Sequence, residues 1–221
     1  MTNRYTLPFR AGAAPLSGEE WERLPPIDVG RRLWLRTENP PETQARAFYD
    51  EEALNVNFRV FEASPTVRHM ADGSPVYEDS CVEFFLQPLP GQDPRYLNFE
   101  LNAAGALLLQ LGANGEERRP VEIDRSVFGI RSAVGLSDSA AGRVRWELAF
   151  RIPFAFLRRS FPDFRPAPGV LMRGNFYKCG DRTPNPHYLS WQPVDSERPD
   201  FHRSECFGEL LFGEYETSAG R

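Results

Sequence analysis

Residues 54–60, Leu-Asn-Val-Asn-Phe-Arg-Val, carry an apolar side chain at every second position. Successive side chains of an extended chain point to opposite faces. This run therefore sends Leu54, Val56, Phe58 and Val60 to a core and turns Asn55, Asn57 and Arg59 the other way. Phe48-Tyr49-Asp50 precedes it across a short acidic turn, so residues from about 44 to 62 read as a β-hairpin. Similar extended signals recur at 79–87, 96–102, 106–111, 128–136, 143–152, 170–179 and 208–212, and helical periodicity is nearly absent. One helical turn is expected after Ile152, with Pro153 at its first position and Phe154, Phe156 and Leu157 against a sheet edge. Many short strands punctuated by Gly and Pro predict an all-β fold. Its expected form is an antiparallel β-sandwich, jelly-roll or immunoglobulin-like, with long aromatic-rich loops.

The 221 residues are read as one domain, 1–221, since sandwiches of this size commonly form a single unit. A chain of this length buries roughly 70% of the surface its unfolded form exposes, so its core needs no disulfide or metal. Twenty-six basic residues against 31 acidic ones leave no surplus to neutralise a phosphate backbone, which argues against nucleic acid as a partner. Cys81, Cys179 and Cys206 are an odd set without C-x-x-C spacing, read as buried free thiols. The sequence shows no signal peptide and no apolar run of about 18 residues, so no membrane partner is expected. As written the chain reads as cytoplasmic, or secreted if a leader was removed.

Two long irregular segments stand out, 62–78 and 180–206, and loops of that length usually serve a function. The second holds His187, Tyr188, Trp191, Phe201, His202 and Arg203. In the strands, Val82, Phe84 and Leu86, then Leu97, Phe99 and Leu101, then Met172, Gly174 and Phe176 should face the core. The opposite, outer face would then show Cys81, Glu83 and Phe85; Asn98, Glu100 and Asn102; and Arg173, Asn175 and Tyr177. Carboxylates, amides, a guanidinium and a phenol are the donor and acceptor mix that sugar hydroxyls require. Trp34, Trp146 and Phe150 read as core, Trp21 as a packing anchor, and Trp191 as structural rather than a stacking platform. Tyr77 and Phe201 lack alternating apolar partners and are read as exposed rings.

Several stretches, in order, resemble the family 9 carbohydrate-binding modules: AFYDEEALNVNFRV, YEDSCVEFF, YLNFELN, WELAFRIPF, GNFYK, YLSW and FHRSECFGELLF, spanning about residues 44–212. The resemblance implies a non-catalytic sandwich that grips a mono- or oligosaccharide between two rings above a polar sheet face. It puts those rings at Tyr77 and Phe201, where the family usually has tryptophan. Its polar positions fall on Glu83, Glu100, Asn102 and Tyr177, with Glu100 where the family often has a basic residue. His202 and Arg203 follow Phe201 within reach of a hydroxyl or a uronic acid carboxylate. The resemblance also implies structural calcium, for which Asp50, Glu51, Glu52 and Asp79 supply oxygen ligands. It leaves open a glycoside hydrolase as partner.

Two other readings stand beside it. Glu83 and Glu100 on neighbouring strands could form the carboxyl pair of a glycoside hydrolase. A related sandwich class binds haem through Met and His, which here would pair Met172 with His187 or His202. The inward direction expected for Met172 favours core packing instead.

Overall fold

The computed structural model describes residues 3–12, 16–122, 124–138 and 142–215, so the ends of the expected 1–221 domain lie outside the described residues. The first half runs β1 (Arg4–Leu7), α1 (Gly18–Glu22), β2 (Ile27–Asp28), β3 (Arg31–Arg32), β4 (Glu42–Tyr49), β5 (Ala53–Phe61), β6 (Cys81–Gln87) and β7 (Tyr96–Asn102). The second runs β8 (Leu107–Gly112), β9 (Arg119–Pro120), β10 (Arg131–Asp138), β11 (Arg143–Pro153), α2 (Phe154–Ser160), β12 (Leu171–Cys179), β13 (Tyr188–Ser190) and β14 (Gly208–Phe212). No described helix is long and apolar enough to cross a membrane.

The expected hairpin is β4–β5, with Glu42 opposite Phe61 and Tyr49 opposite Leu54. Its turn is closed by Asp50, whose Oδ1 accepts the Glu52 and Ala53 amides at 2.7 and 2.8 Å, the local side-chain bond that makes Asp a turn residue. The hairpin sits inside a five-stranded sheet ordered β10-β11-β5-β4-β2. Facing it is a nine-stranded sheet whose spine is β1-β14-β12-β6-β7-β8-β9. The free edge of β12 is shared, Leu171–Gly174 pairing β14 and Tyr177–Cys179 pairing β13, which in turn pairs β3. Gly174 sits where β12 changes partners. A Cβ there would stand 2.5 Å from the Phe85 carbonyl, so only glycine allows the approach.

The inward residues expected from alternation meet between the sheets. Phe176 stacks on Phe84 with ring centres 4.5 Å apart and meets Phe58 of the facing sheet at 5.9 Å and Trp191 at 5.8 Å. Trp146 is fully buried in the same core, and Trp21 packs on Phe48 beneath α1. The turn after Ile152 is α2, with Pro153 capping it and Phe154, Phe156 and Leu157 buried. The strand expected at 128–136 starts later, because Arg125–Phe128 form a 3-10 turn that Gly129 ends in the left-handed region.

The outer face of the large sheet differs from the expectation. Every residue of β6 and β7 is buried, on both faces. The two long segments fold over this face and build a second apolar layer with Val76, Phe85, Tyr96, Tyr177, Phe201 and Phe207. Asp79 holds the first segment down by accepting the Arg68 and His69 amides at 3.0 and 2.9 Å. The Asp181 amide donates to the Tyr77 carbonyl at 3.1 Å and joins the two segments. Alternation specifies that a strand has two faces; it does not specify what covers the second one.

Candidate functional site

Where the covering layer parts, a cleft of about 580 Å³ opens onto the outer face of β6–β7–β8. Its floor comes from the sheet. Glu83 and Glu100 stand directly opposite each other across β6 and β7, Leu108 and Gln110 follow on β8, and Cys179 closes one end from β12. Its walls come from the connecting segments and the start of β13, with Tyr77, Trp34, Tyr188 and Phe201 as rings and Arg118, Asp181, Asp200 and His202 as polar groups. Tyr77 and Phe201, 124 residues apart in the sequence, therefore border one cleft. They differ in exposure, Tyr77 being 38% accessible and Phe201 only 8%.

Phe201 is held from behind. Its ring stacks on Tyr177 with centres 4.1 Å apart and planes 12° from parallel, and the Tyr177 hydroxyl donates to the Phe201 carbonyl at 3.1 Å. Trp34 lies 5.5 Å from it on the other side. Trp34 was expected in the core. It is only partly buried, and its φ of 51° puts a bulky residue in the left-handed region, a costly conformation that clusters at functional positions. Its indole N–H donates to the Ser196 carbonyl at 2.7 Å and fixes the ring at the cleft wall.

Of the residues expected to contact ligand, Tyr77, Glu83, Glu100, Phe201 and His202 line the cleft. The other six do not, each because its polar atoms serve the covering layer or the floor. Asn98 is fully buried and donates to Glu100 Oε1 at 2.8 Å, which positions that carboxyl. Asn102 donates to the His69 carbonyl and to Asp79 and accepts the Ala106 amide, pinning a loop. Asn175 bridges the Gln192 and Phe176 amides through its Oδ1. Tyr177 is buried as the backing of Phe201. Arg173 donates to the Glu205 and Phe207 carbonyls. Arg203 pairs with Glu205 at 2.8 Å.

Burial governs the electrostatics. Desolvation pushes Glu100 up to about 7 and Asp181 up to about 6, and it raises Glu83 well above the carboxylate range. Glu83 and Glu100 differ in what opposes that burial, since the Asn98 amide and the Arg118 guanidinium pull Glu100 back down while Cys179 and Glu100 raise Glu83 further. Met172 is fully buried between the sheets, on the far face from His202, as alternation anticipated.

His187 and His202 are both lowered to about 3, by burial first and then by Lys178 and Arg118 respectively. His187 accepts from the Lys178 ammonium through Nε2 and donates through Nδ1 to the Asn185 carbonyl, each at 2.7–2.8 Å, which fixes a neutral ring. Between pH 6.5 and 3 the unfolded chain takes up a proton that the folded His187 refuses, so this group's contribution to stability falls as pH falls. Glu100 and Asp181, raised in the fold, work in the opposite direction. His187→Gln keeps one donor and one acceptor but cannot protonate. Urea unfolding near pH 5 should show the signed slope of unfolding free energy against pH lowered, relative to the unsubstituted protein, by about 1.4 kcal/mol per unit for the one proton removed from the linkage.

The four acidic residues expected to hold calcium do not converge. Asp50 spends both oxygens on the hairpin turn and Asn55, Glu52 pairs with Arg151, and Glu51 accepts the Gly12 amide. Asp79 keeps one buried oxygen, Oδ1, without a hydrogen bond. Among the described residues the one group of three or more His, Cys, Asp or Glu side chains close enough to share an ion is Cys81, Glu83 and Cys179. That donor set does not suit a hard cation that prefers oxygen.

Comparison with known proteins agrees with this architecture. No curated protein sequence matches the chain. A Bacteroides uniformis protein provisionally described as carbohydrate-binding superposes with a TM-score of 0.77 at 32% identity, covering 96% of this chain and 100% of that one. Two structures of a family 9 carbohydrate-binding module from Caldicellulosiruptor kristjanssonii share the fold at lower identity. The one solved with glucose gives 0.67 at 13% identity, covering 99% of this chain and 100% of that one. The one solved with cellotriose gives 0.63 at 14%, covering 99% and 98%. The sequence model described as carbohydrate-binding family 9 matches residues 19–212, from the first helix to the last strand, and the chain belongs to that family.

Proposed function

We propose that the chain is a non-catalytic sugar-binding module that holds a neutral hexose, or the end of a short oligosaccharide, in the cleft between β6–β8 and the rings of Trp34 and Tyr77. The observation that carries this reading is the convergence, in one cleft of about 580 Å³, of aromatic rings on the walls and hydrogen-bonding groups on the floor. A volume in this range suits a small ligand, rings give dispersion and apolar contact to the faces of a pyranose, and polar groups select among hydroxyl patterns. The family and the sugar complexes of its structural relatives support the ligand class. Glu100, Gln110, Arg118 and Asp181 are the hydroxyl-binding groups of this reading, with Asn98 holding Glu100 in place.

The acidic groups of the cleft, Glu83, Glu100, Asp181 and Asp200, outnumber its one arginine, Arg118. A uronate carboxylate would add its charge to that of Asp181 and of the part of Glu100 still ionised near neutral pH, and Arg203, which sequence reading placed near such a ligand, is paired with Glu205. Calorimetry should therefore give measurable binding of glucose or cellotriose and weaker binding of glucuronate. Equal or tighter binding of glucuronate would contradict the assignment of a neutral sugar.

A further inference from the structure

We propose that Cys81, Glu83 and Cys179 form a binding site for a soft divalent metal ion such as zinc, set in the cleft floor with its fourth coordination position open to the cleft. Cys81 and Cys179 are direct partners in the antiparallel register of β6 and β12. Glu83 lies two residues along β6, so its side chain leaves the same face as Cys81. The donor atoms of the three all fall within 4.8 Å of one another, and Cys179 Sγ stands 3.1 Å from Glu83 Oε1. Tetrahedral zinc with Zn–S of about 2.3 Å and Zn–O of about 2.1 Å needs donor separations of roughly 3.5–3.8 Å, which these side chains reach by small rotations.

A second observation also points to a cation. Glu83 is 3% exposed, faces the buried Glu100 across the strand pair, and its hydrogen-bond partner is the Cys179 thiol rather than a basic side chain. A buried carboxyl beside another carboxyl is costly to ionise, and it either stays protonated, as Glu83 does without a partner, or is joined by something positive. Two thiolates, a carboxylate and a divalent ion sum to one negative charge, whereas Lys178, next to Cys179 on β12, turns to the other face of the sheet, where its ammonium lies 3.8 Å from Glu62. Thiolate donors select zinc over calcium. Both Glu83 and Cys179 line the cleft, which supplies the entry path and leaves room for water as a fourth ligand.

The test is cobalt titration of the full chain, reduced, stripped with chelator and free of sugar, so that its outcome is independent of sugar binding. One equivalent of Co²⁺ should produce a thiolate-to-cobalt charge-transfer band and the visible bands of a tetrahedral ion, and Zn²⁺ should abolish both. Cys81→Ser and Cys179→Ser should lose the signal, Glu83→Gln should weaken Co²⁺ binding about tenfold or more, and Cys206→Ser, outside the cluster, should keep it. Glu83→Gln preserves side-chain volume and so remains informative if a cysteine variant fails to fold. Absence of the bands, their persistence in Cys179→Ser, or a Cys81–Cys179 disulfide that forms in place of metal uptake would overturn the proposal.

Discussion

Replacing Trp34 by alanine should weaken the binding of glucose or cellotriose about tenfold or more, the equivalent of roughly 1.4 kcal/mol, while the protein still folds. The indole is partly buried at the cleft wall and held in place by its bond to Ser196, so its face is ordered before a ligand arrives. Truncation removes the face against which a sugar ring would pack, a contact worth about 1 kcal/mol beyond area burial when two rings meet. It also removes contacts to Phe201 and Tyr188, so a stability loss of about 1–2 kcal/mol should accompany it. Tyr77→Ala should weaken binding with less loss of stability, because Tyr77 is the more exposed ring. Phe201→Ala is expected to behave differently from both. Its ring is the partner of Tyr177 in the covering layer, and losing it should destabilise the fold. Calorimetry and urea unfolding on the same variants separate these outcomes. Unchanged affinity in both Trp34→Ala and Tyr77→Ala would remove the cleft from consideration.

Phe176→Ala should be the most damaging single substitution for the fold, costing about 3–5 kcal/mol, the range seen when a buried phenylalanine is cut to alanine. The reason is position. Phe176 lies on β12, an interior strand of the large sheet, and joins Phe84 on the neighbouring strand, Phe58 on the facing sheet and Trp191. Close packing leaves the neighbours little freedom to fill the space, so the lost transfer energy and the cavity add. For a chain of this size the midpoint of thermal unfolding should fall by roughly 10 °C. The m-value should not change, since the surface exposed on unfolding is nearly the same. A loss below about 1 kcal/mol would show that the two sheets do not depend on this contact.

The two effects correspond to two kinds of information in the sequence. The sandwich was legible because its signal is local: Leu54, Val56, Phe58 and Val60 alternate, and so do Val82, Phe84 and Leu86, and each set lies in the inter-sheet core. Strands expected at 96–102 and 208–212 end where the structure ends them. The site was legible only in part. Alternation correctly separated Glu83 and Glu100 from the core residues around them, but the face they occupy is roofed by chain segments distant in sequence. Tyr177 and Asn175 thus became parts of a second core and of a loop anchor. The outward rings Phe85, Tyr96 and Tyr177 were the available sign that something covers this face. Trp34 was misread because it stands between Leu33 and Leu35, a triplet that resembles core. The backbone turns left-handed at that residue and carries the ring to the cleft. Gln110 lies in the strand expected at 106–111, but that strand is a nearly unbroken leucine run that does not mark a polar face, and Arg118 and Asp181 sit in loops with no local pattern, so only the fold brings the three to Glu100.

A crystal structure of the chain with cellotriose tests the central claim most directly. The account predicts a terminal sugar ring against Trp34 and Tyr77, with its hydroxyls within hydrogen-bond distance of Glu100 and Arg118. A second cleft of about 660 Å³, lined by Arg32, Glu42, Arg143 and the ring of Phe61, provides the contrary outcome. Sugar bound there, with the cleft at Trp34 holding only water, would contradict the assignment.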